Sequence, residues 1–167
     1  ALDTLEVFRY FRQHNPTMWL SMNTNAGARD TMWWTELASI IGRNGSVIFS
    51  VDGLQDTNHI YRQNVSWSKV ENSMHSFIAA GGRARWDFIV FDHNQHQVSE
   101  AEQLSKDWGF EKFTAKKTGR FFSTNTHTGK DMHQAVNKKG AVTWLIKKPN
   151  TTFLNAATEK ETMLVEK

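Results

Sequence analysis

The residues best equipped for chemistry sit at the downstream ends of short apolar runs. Asn23-Thr24-Asn25-Ala26-Gly27 closes the first run and Ser50-Val51-Asp52-Gly53 the second. Arg85 and Asp87 lie inside a third run that leaves through His93–Asn94, and a fourth ends in Lys116-Lys117-Thr118-Gly119-Arg120. If these runs are parallel strands, all four groups converge on one rim, where α/β folds bind their ligands. Side chains alternate along a strand, so Ile48, Ser50 and Asp52 share one face, as do Arg85, Asp87 and Ile89. A polar side chain on a strand buried on both faces costs about 1–3 kcal/mol unless it is paired. Plainer readings stand beside the functional one. Arg85 and Asp87 can satisfy each other, Ser50 can be a small core residue, and Asp52–Gly53 can be a simple turn.

Other constellations carry less. His93-x-x-His96 has metal-ligand spacing but no obvious third ligand, and no metal site is expected. The seven tryptophans, including Trp33–Trp34, mostly fall on helix faces or in strands, where they read as core. No phosphate-binding Gly-rich loop, GxGxxG turn or nucleophile elbow is present.

The elements that must position these groups follow from apolar spacing. Leu2, Leu5, Phe8 and Phe11 recur at helical intervals, with an end near Asn15, before Pro16. Met18–Met22 reads as a strand. Asp30 or Thr31 caps a helix that turns Trp33, Leu37, Ile40 and Ile41 inward and ends at Asn44–Gly45. Val47–Val51 is apolar and β-branched, the pattern of a strand buried on both faces. Ser66 caps the next helix, with Trp67, Val70, Met74, Phe77 and Ile78 inward and Gly81–Gly82 at its end. Ala84–Phe91 is a strand. Ser99 and Glu102 form a capping box ahead of a helix carrying Ala101, Leu104 and Trp108. Phe110–Ala115 is a strand. Strands alternating with helices of this length predict parallel βαβ units.

From about Ser123 the pattern changes. Ser123–Lys130 is polar and turn-rich, Val142–Ile146 offers one more strand, and the last residues show little periodicity. We expect a barrel segment over 1–122 and a linker or the start of a C-terminal extension over 123–167.

Composition narrows the function classes. With 167 residues, 39% hydrophobic and 22% charged, the chain suits a single folded domain. The net charge of +3 is spread over scattered basic residues whose densest clusters are pairs, so nucleic acid is not the expected partner. Cysteine is absent, which excludes disulfides and any thiolate-held metal or cluster within these residues. No apolar run approaches the roughly 18 residues of a membrane helix, and no signal sequence opens the chain, so a cytoplasmic location is expected. The start at Ala1, directly in a helix pattern, suggests a segment upstream.

At this point the strand ends resemble a known family. Thr24-Asn25-Ala26 resembles the TNG sequence closing the third strand of radical S-adenosylmethionine (radical SAM) barrels. Ser46–Gly53 looks like the fourth-strand VSxDG pattern, and Arg83–Val90 with Asn94–Val98 is similar to the fifth strand and its following turn. The likeness spans about residues 1–120 and is greatest to the branch with a C-terminal SPASM or twitch domain.

The resemblance implies an α/β fold, a partial (β/α) barrel with parallel strands inside and helices outside. It implies that Ser50 contacts S-adenosylmethionine, with Asp52, Asn25 and Asp87 lining the same mouth, and that Thr24 and Arg85 face the substrate. Asp87 stands where the family often has Asn, and Ala26 where it has Gly. The family's CxxxCxxC motif, which holds a [4Fe–4S] cluster, is missing and is expected upstream. The parent protein is then an iron–sulfur oxidoreductase that cleaves S-adenosylmethionine reductively to abstract hydrogen from a peptide or small-molecule substrate. Its electrons come from a reductant such as ferredoxin or flavodoxin. The rival expectation is a non-catalytic α/β domain that binds a ligand or nucleic acid.

Overall fold

The computed structural model describes residues 3–118, 132–136 and 139–150. Leu2, Gly119, Arg120, the Ser123–Lys130 stretch and the residues after Asn150 lie outside these. No helix among the described residues is long and apolar enough to cross a membrane.

Helix α1 spans Thr4–His14 and stops one residue before the Asn15–Pro16 pair, where proline disfavours helix. Leu5 and Phe8 pack on the core, as expected, but Phe11 is exposed. Arg12, on the same helix face as Leu5 and Phe8, takes the inward position instead. Its guanidinium donates to the carbonyl oxygens of Pro16, Met18, Ile40, Ile41 and Asn44 at 2.6–3.2 Å. Two of these acceptors belong to the last turn of α2, whose carbonyls have no partner within the helix.

Strand β1 is Leu20–Thr24, two residues later than the pattern predicted. The Met18 N–H is held in a turn by the Asn15 carbonyl, and the ladder to β2 opens only at Leu20, opposite Gly45. Helix α2 covers Thr31–Ile41, and Asp30 caps it by accepting from the Trp33 N–H at 2.9 Å. It ends at Gly42, with φ +57°, rather than at Asn44–Gly45. Its buried residues are Trp34, Leu37, Ala38 and Ile41; the expected Trp33 packs on the core while only partly buried, and Ala38 rather than Ile40 completes the buried face.

Strand β2 is Gly45–Ser50, followed by a short helix α3 (Asn58–Tyr61) in what reads as a polar loop. Helix α4 is Trp67–Ala79, and strand β3 is Ala84–Ile89. A 3-10 turn, Gln95–Gln97, runs straight into α5 (Val98–Asp107), so Ser99 is already inside the helix and the capping box does not form. Strand β4 is Lys112–Lys116, beginning later than predicted because Phe110 turns into the core against Phe49 and Trp86.

The four strands form one parallel sheet in the order β1-β2-β3-β4. Right-handed crossovers between neighbours taken in chain order put the linking helices α2, α4 and α5 on the same face, as in a barrel wall. The packing agrees: the Phe49 ring meets Trp34 of α2 at 5.4 Å and Phe77 of α4 at 5.8 Å, while Trp86 stacks on Trp108 beyond α5 at 5.8 Å. Val47, Phe49, Val51, Ala84, Trp86, Phe88 and Val90 are fully buried there. The alternate residues point to the other, inner face. The fold is therefore α/β with the predicted strand–helix alternation, arranged like part of a (β/α) barrel.

Strands β5 (Met132–Val136) and β6 (Val142–Lys147) form a separate antiparallel pair. The pattern predicted β6 but not β5. The pair docks beside the end of β3: the Asp92 N–H bonds the Lys147 carbonyl at 3.1 Å, Ile146 is fully buried, and the Trp144 ring lies 6.0 Å from His59.

Candidate functional site

Register decides which polar side chains meet. Laterally paired residues of a parallel sheet face the same way, so Ser50, Asp87 and Thr114 form one row across the inner face of β2, β3 and β4. One step below, Asn23, Ile48, Arg85 and Lys112 form a second row. Ile89 and Lys116 are paired one step above. The inner face is thus polar along its length, with Arg85 and Lys112 near the amino ends of β3 and β4 and Ser50 at the carboxyl end of β2.

Asp87 is buried, with its carboxylate bonded to the Lys116 ammonium. The alternative pairing of Asp87 with Arg85 is absent among the described residues. Residues two apart on an extended strand stand about 7 Å apart, while Lys116 reaches across from the neighbouring strand. Arg85 is half-buried and makes no hydrogen bond or ion pair with the described residues, and neither does the Ser50 hydroxyl.

Thr24 parts from this group. Its register with Phe49 puts it on the helix side, and its hydroxyl accepts from the Ala26 N–H at 3.0 Å. Asn25 is exposed just beyond β1 and spends its Oδ1 on the Gly27 N–H at 3.2 Å. Between them and Gly27, Ala26 is fully buried at φ +60°, a left-handed conformation that glycine adopts without strain. The backbone thus explains why a glycine suits this position of the motif.

Asp52 behaves differently again. It is fully buried, and both carboxylate oxygens are engaged. Arg62 grips Oδ2 through Nε and Nη2, each at 2.6 Å, and Oδ1 accepts from the Ile89 N–H at 2.6 Å. The Asp52 N–H bonds Asn58 Oδ1 at 3.2 Å, and its carbonyl accepts from Asn94 Nδ2 at 2.9 Å. Asn94 Nδ2 also donates to the Ile89 carbonyl at 3.0 Å, and Asn94 Oδ1 accepts from the Phe91 N–H at 2.7 Å. Gln97 extends the cluster: its Oε1 accepts from the Thr57 hydroxyl and the Leu54 N–H, and its Nε2 donates to Asp56 at 2.5 Å. Gly53, at φ +146°, admits this turn because a Cβ there would fall 2.3 Å from the Thr57 hydroxyl oxygen.

This network knits the loop after β2 to the loop after β3. Sequence reasoning does not single out Arg62, Asn58 or Gln97 as site residues, since a polar loop gives no sign of which members will be buried. It misses Lys112 and Thr114 because only the register pairs them with Arg85 and Asp87.

His93 follows β3, its ring stacked on Phe91 at 5.4 Å and its Nε2 buried without a hydrogen-bond partner among the described residues. Burial lowers its pKa below the usual imidazole value; Asp92 opposes this, and His59 and His96 add to it. No group of three or more metal-ligating side chains gathers among the described residues.

Comparison with known proteins speaks for the fold. No family model and no curated protein matches the chain. Among solved structures, the chain is similar to a hexahistidine-tagged anSMEcpe with bound AdoMet (S-adenosylmethionine), with a TM-score of 0.58 at 16% identity. The match covers 77% of this chain but only 35% of that one, so the chain spans about a third of its structural neighbour.

Proposed function

We propose that this chain is the central part of a radical SAM barrel whose inner face receives S-adenosylmethionine. The observation that carries this reading is the row Ser50–Asp87–Thr114 on the inner face of a consecutively ordered parallel sheet. The likeness to a structure holding AdoMet supports it.

The residues present fit that ligand in part. Ser50 offers a hydroxyl with no partner among the described residues, and Asn25 stands exposed at the same rim. Asp52 shapes the mouth from behind, by holding the loop after β2 through Arg62 and Asn94, rather than by direct contact. Asp87 is oriented by Lys116. The chemistry S-adenosylmethionine supplies when bound is hydrogen abstraction from a substrate, here a peptide or small molecule.

The residues present do not fit a thiolate-held iron–sulfur cluster, because the chain contains no cysteine. In this reading the cluster ligands and the SPASM-type segment belong to other parts of the parent protein, and ferredoxin or flavodoxin supplies its electrons.

The test uses the full reading frame, reconstituted anaerobically with iron and sulfide. We expect 5′-deoxyadenosine from S-adenosylmethionine, with Ser50→Ala raising the KM for S-adenosylmethionine about threefold to tenfold, the value of one neutral hydrogen bond. A correctly folded protein that neither binds nor cleaves S-adenosylmethionine would leave a non-catalytic binding domain as the better reading.

A further inference from the structure

The inner face carries more positive charge than its neighbours neutralise. Arg85, Lys112 and Lys116 all point there, against the single carboxylate of Asp87. Lys116 is committed to Asp87, and Asp52 is neutralised by Arg62. Arg85 and Lys112 stand side by side in register on β3 and β4. Like charges directly opposite on neighbouring strands are destabilising, and neither residue has a hydrogen-bond or ion-pair partner among the described residues.

Arg85 is half-buried and Lys112 exposed, so both cations are open to a bound anion. Ile48 flanks Arg85 on its other side, so neither lateral neighbour offers the guanidinium an acceptor. A planar guanidinium beside an ammonium is suited to a carboxylate, which the arginine fork binds through two parallel N–H···O bonds.

We propose that Arg85 and Lys112 together hold a carboxylate of the substrate, directly below the Ser50–Asp87–Thr114 row. This rests on the inner face being the ligand-binding side. It narrows the substrate class to molecules bearing an acidic group, such as an acidic peptide side chain or a carboxylic acid metabolite. Nucleic acid is disfavoured, because the two cations are confined to one strand pair with no exposed aromatic ring in either row for a base to stack on.

The experiment follows the Arg85 side-chain Nε–H signal by NMR in the 167-residue chain during titration with N-acetylglutamate. N-acetylglutamine amide serves as the uncharged control and a short single-stranded oligonucleotide as the polyanion control. A saturable shift with N-acetylglutamate alone is expected. Arg85→Lys, which keeps the charge but loses the fork, should weaken binding about tenfold, and Lys112→Gln about threefold, read from the remaining backbone signals. Lys69→Gln, on the outer helix α4, should change nothing.

Several results would overturn the proposal: no saturable shift, binding unaltered by Arg85→Lys in a folded variant, or a response to the oligonucleotide alone. Displacement of N-acetylglutamate by S-adenosylmethionine would assign the carboxylate to the cofactor and overturn the substrate assignment. The two readings fail separately. Carboxylate binding without S-adenosylmethionine cleavage by the full-length protein sinks the radical SAM function, whereas cleavage without carboxylate binding sinks only this inference.

Discussion

Two polar regions lie close together on β2, β3 and the loops that follow them, and they are built in opposite ways. Around Asp52 the polar groups answer one another: Arg62, Asn58, Asn94, Gln97 and the Ile89 N–H supply partners in a buried cluster. Around Ser50 and Arg85, further back along the same strands, side chains of equal polarity have no such partners among the described residues. A closed network in low dielectric stabilises a particular loop geometry, whereas an open set of donors stabilises whatever arrives to meet it. Polarity at a strand end does not by itself identify a binding residue. Its satisfaction by neighbours does the sorting.

The contrast can be broken most forcefully at Asp52. Asp52→Ala leaves the partly buried Arg62 guanidinium without its carboxylate and the Ile89 N–H without its acceptor. We expect a loss of about 3–5 kcal/mol of stability in chemical unfolding, the scale for orphaning one member of a buried ion pair. Adding Arg62→Leu should recover part of it. A loss below about 1 kcal/mol would show that the network is not what holds the two loops.

A smaller effect is expected from His93, which borders the closed region with a buried nitrogen that has no partner among the described residues. Its folded-state pKa is lowered by burial, so the unfolded chain takes up a proton first as the solution is acidified. Its contribution is intact above the ordinary imidazole value of 6.5 and is lost as pH falls through the lowered folded value, below which the curve levels. His93→Gln should flatten that part of the stability–pH profile. An unchanged slope would show that His93 does not carry it.

The smallest effect sharpens the comparison from the other side. Ser50→Ala and Arg85→Gln should each alter stability by no more than about 0.5 kcal/mol, since neither removes a bond within the described fold. A large loss at either residue would move it into the structural class and erase the distinction between the two regions.

Most of the fold over residues 3–118 was legible in the sequence. Helix and strand spacing, Asp30 as a cap and the order of elements all hold, because apolar periodicity records which face is buried. The misses are local. The spacing predicts Phe11 inward where Arg12 takes that place, because a guanidinium can serve as an interior residue when carbonyls converge on it. Gly42 rather than Gly45 ends α2, and the 3-10 turn at Gln95–Gln97 displaces the capping box. The antiparallel strand β5 leaves too weak a pattern to be read.

The sequence by itself determined the strand–helix alternation, the parity that puts Ser50 with Asp52 and Arg85 with Asp87, and the absence of any cysteine ligand. Only the tertiary structure decided which of those polar residues are spent. Register brought Lys116, not Arg85, to Asp87, set Lys112 beside Arg85, and turned Thr24 towards the helices. Loop closure delivered Arg62 and Asn94 to Asp52. Alternation is a property of one strand and can be read along it, but pairing depends on how neighbouring strands are offset and where their loops return, which no single segment encodes.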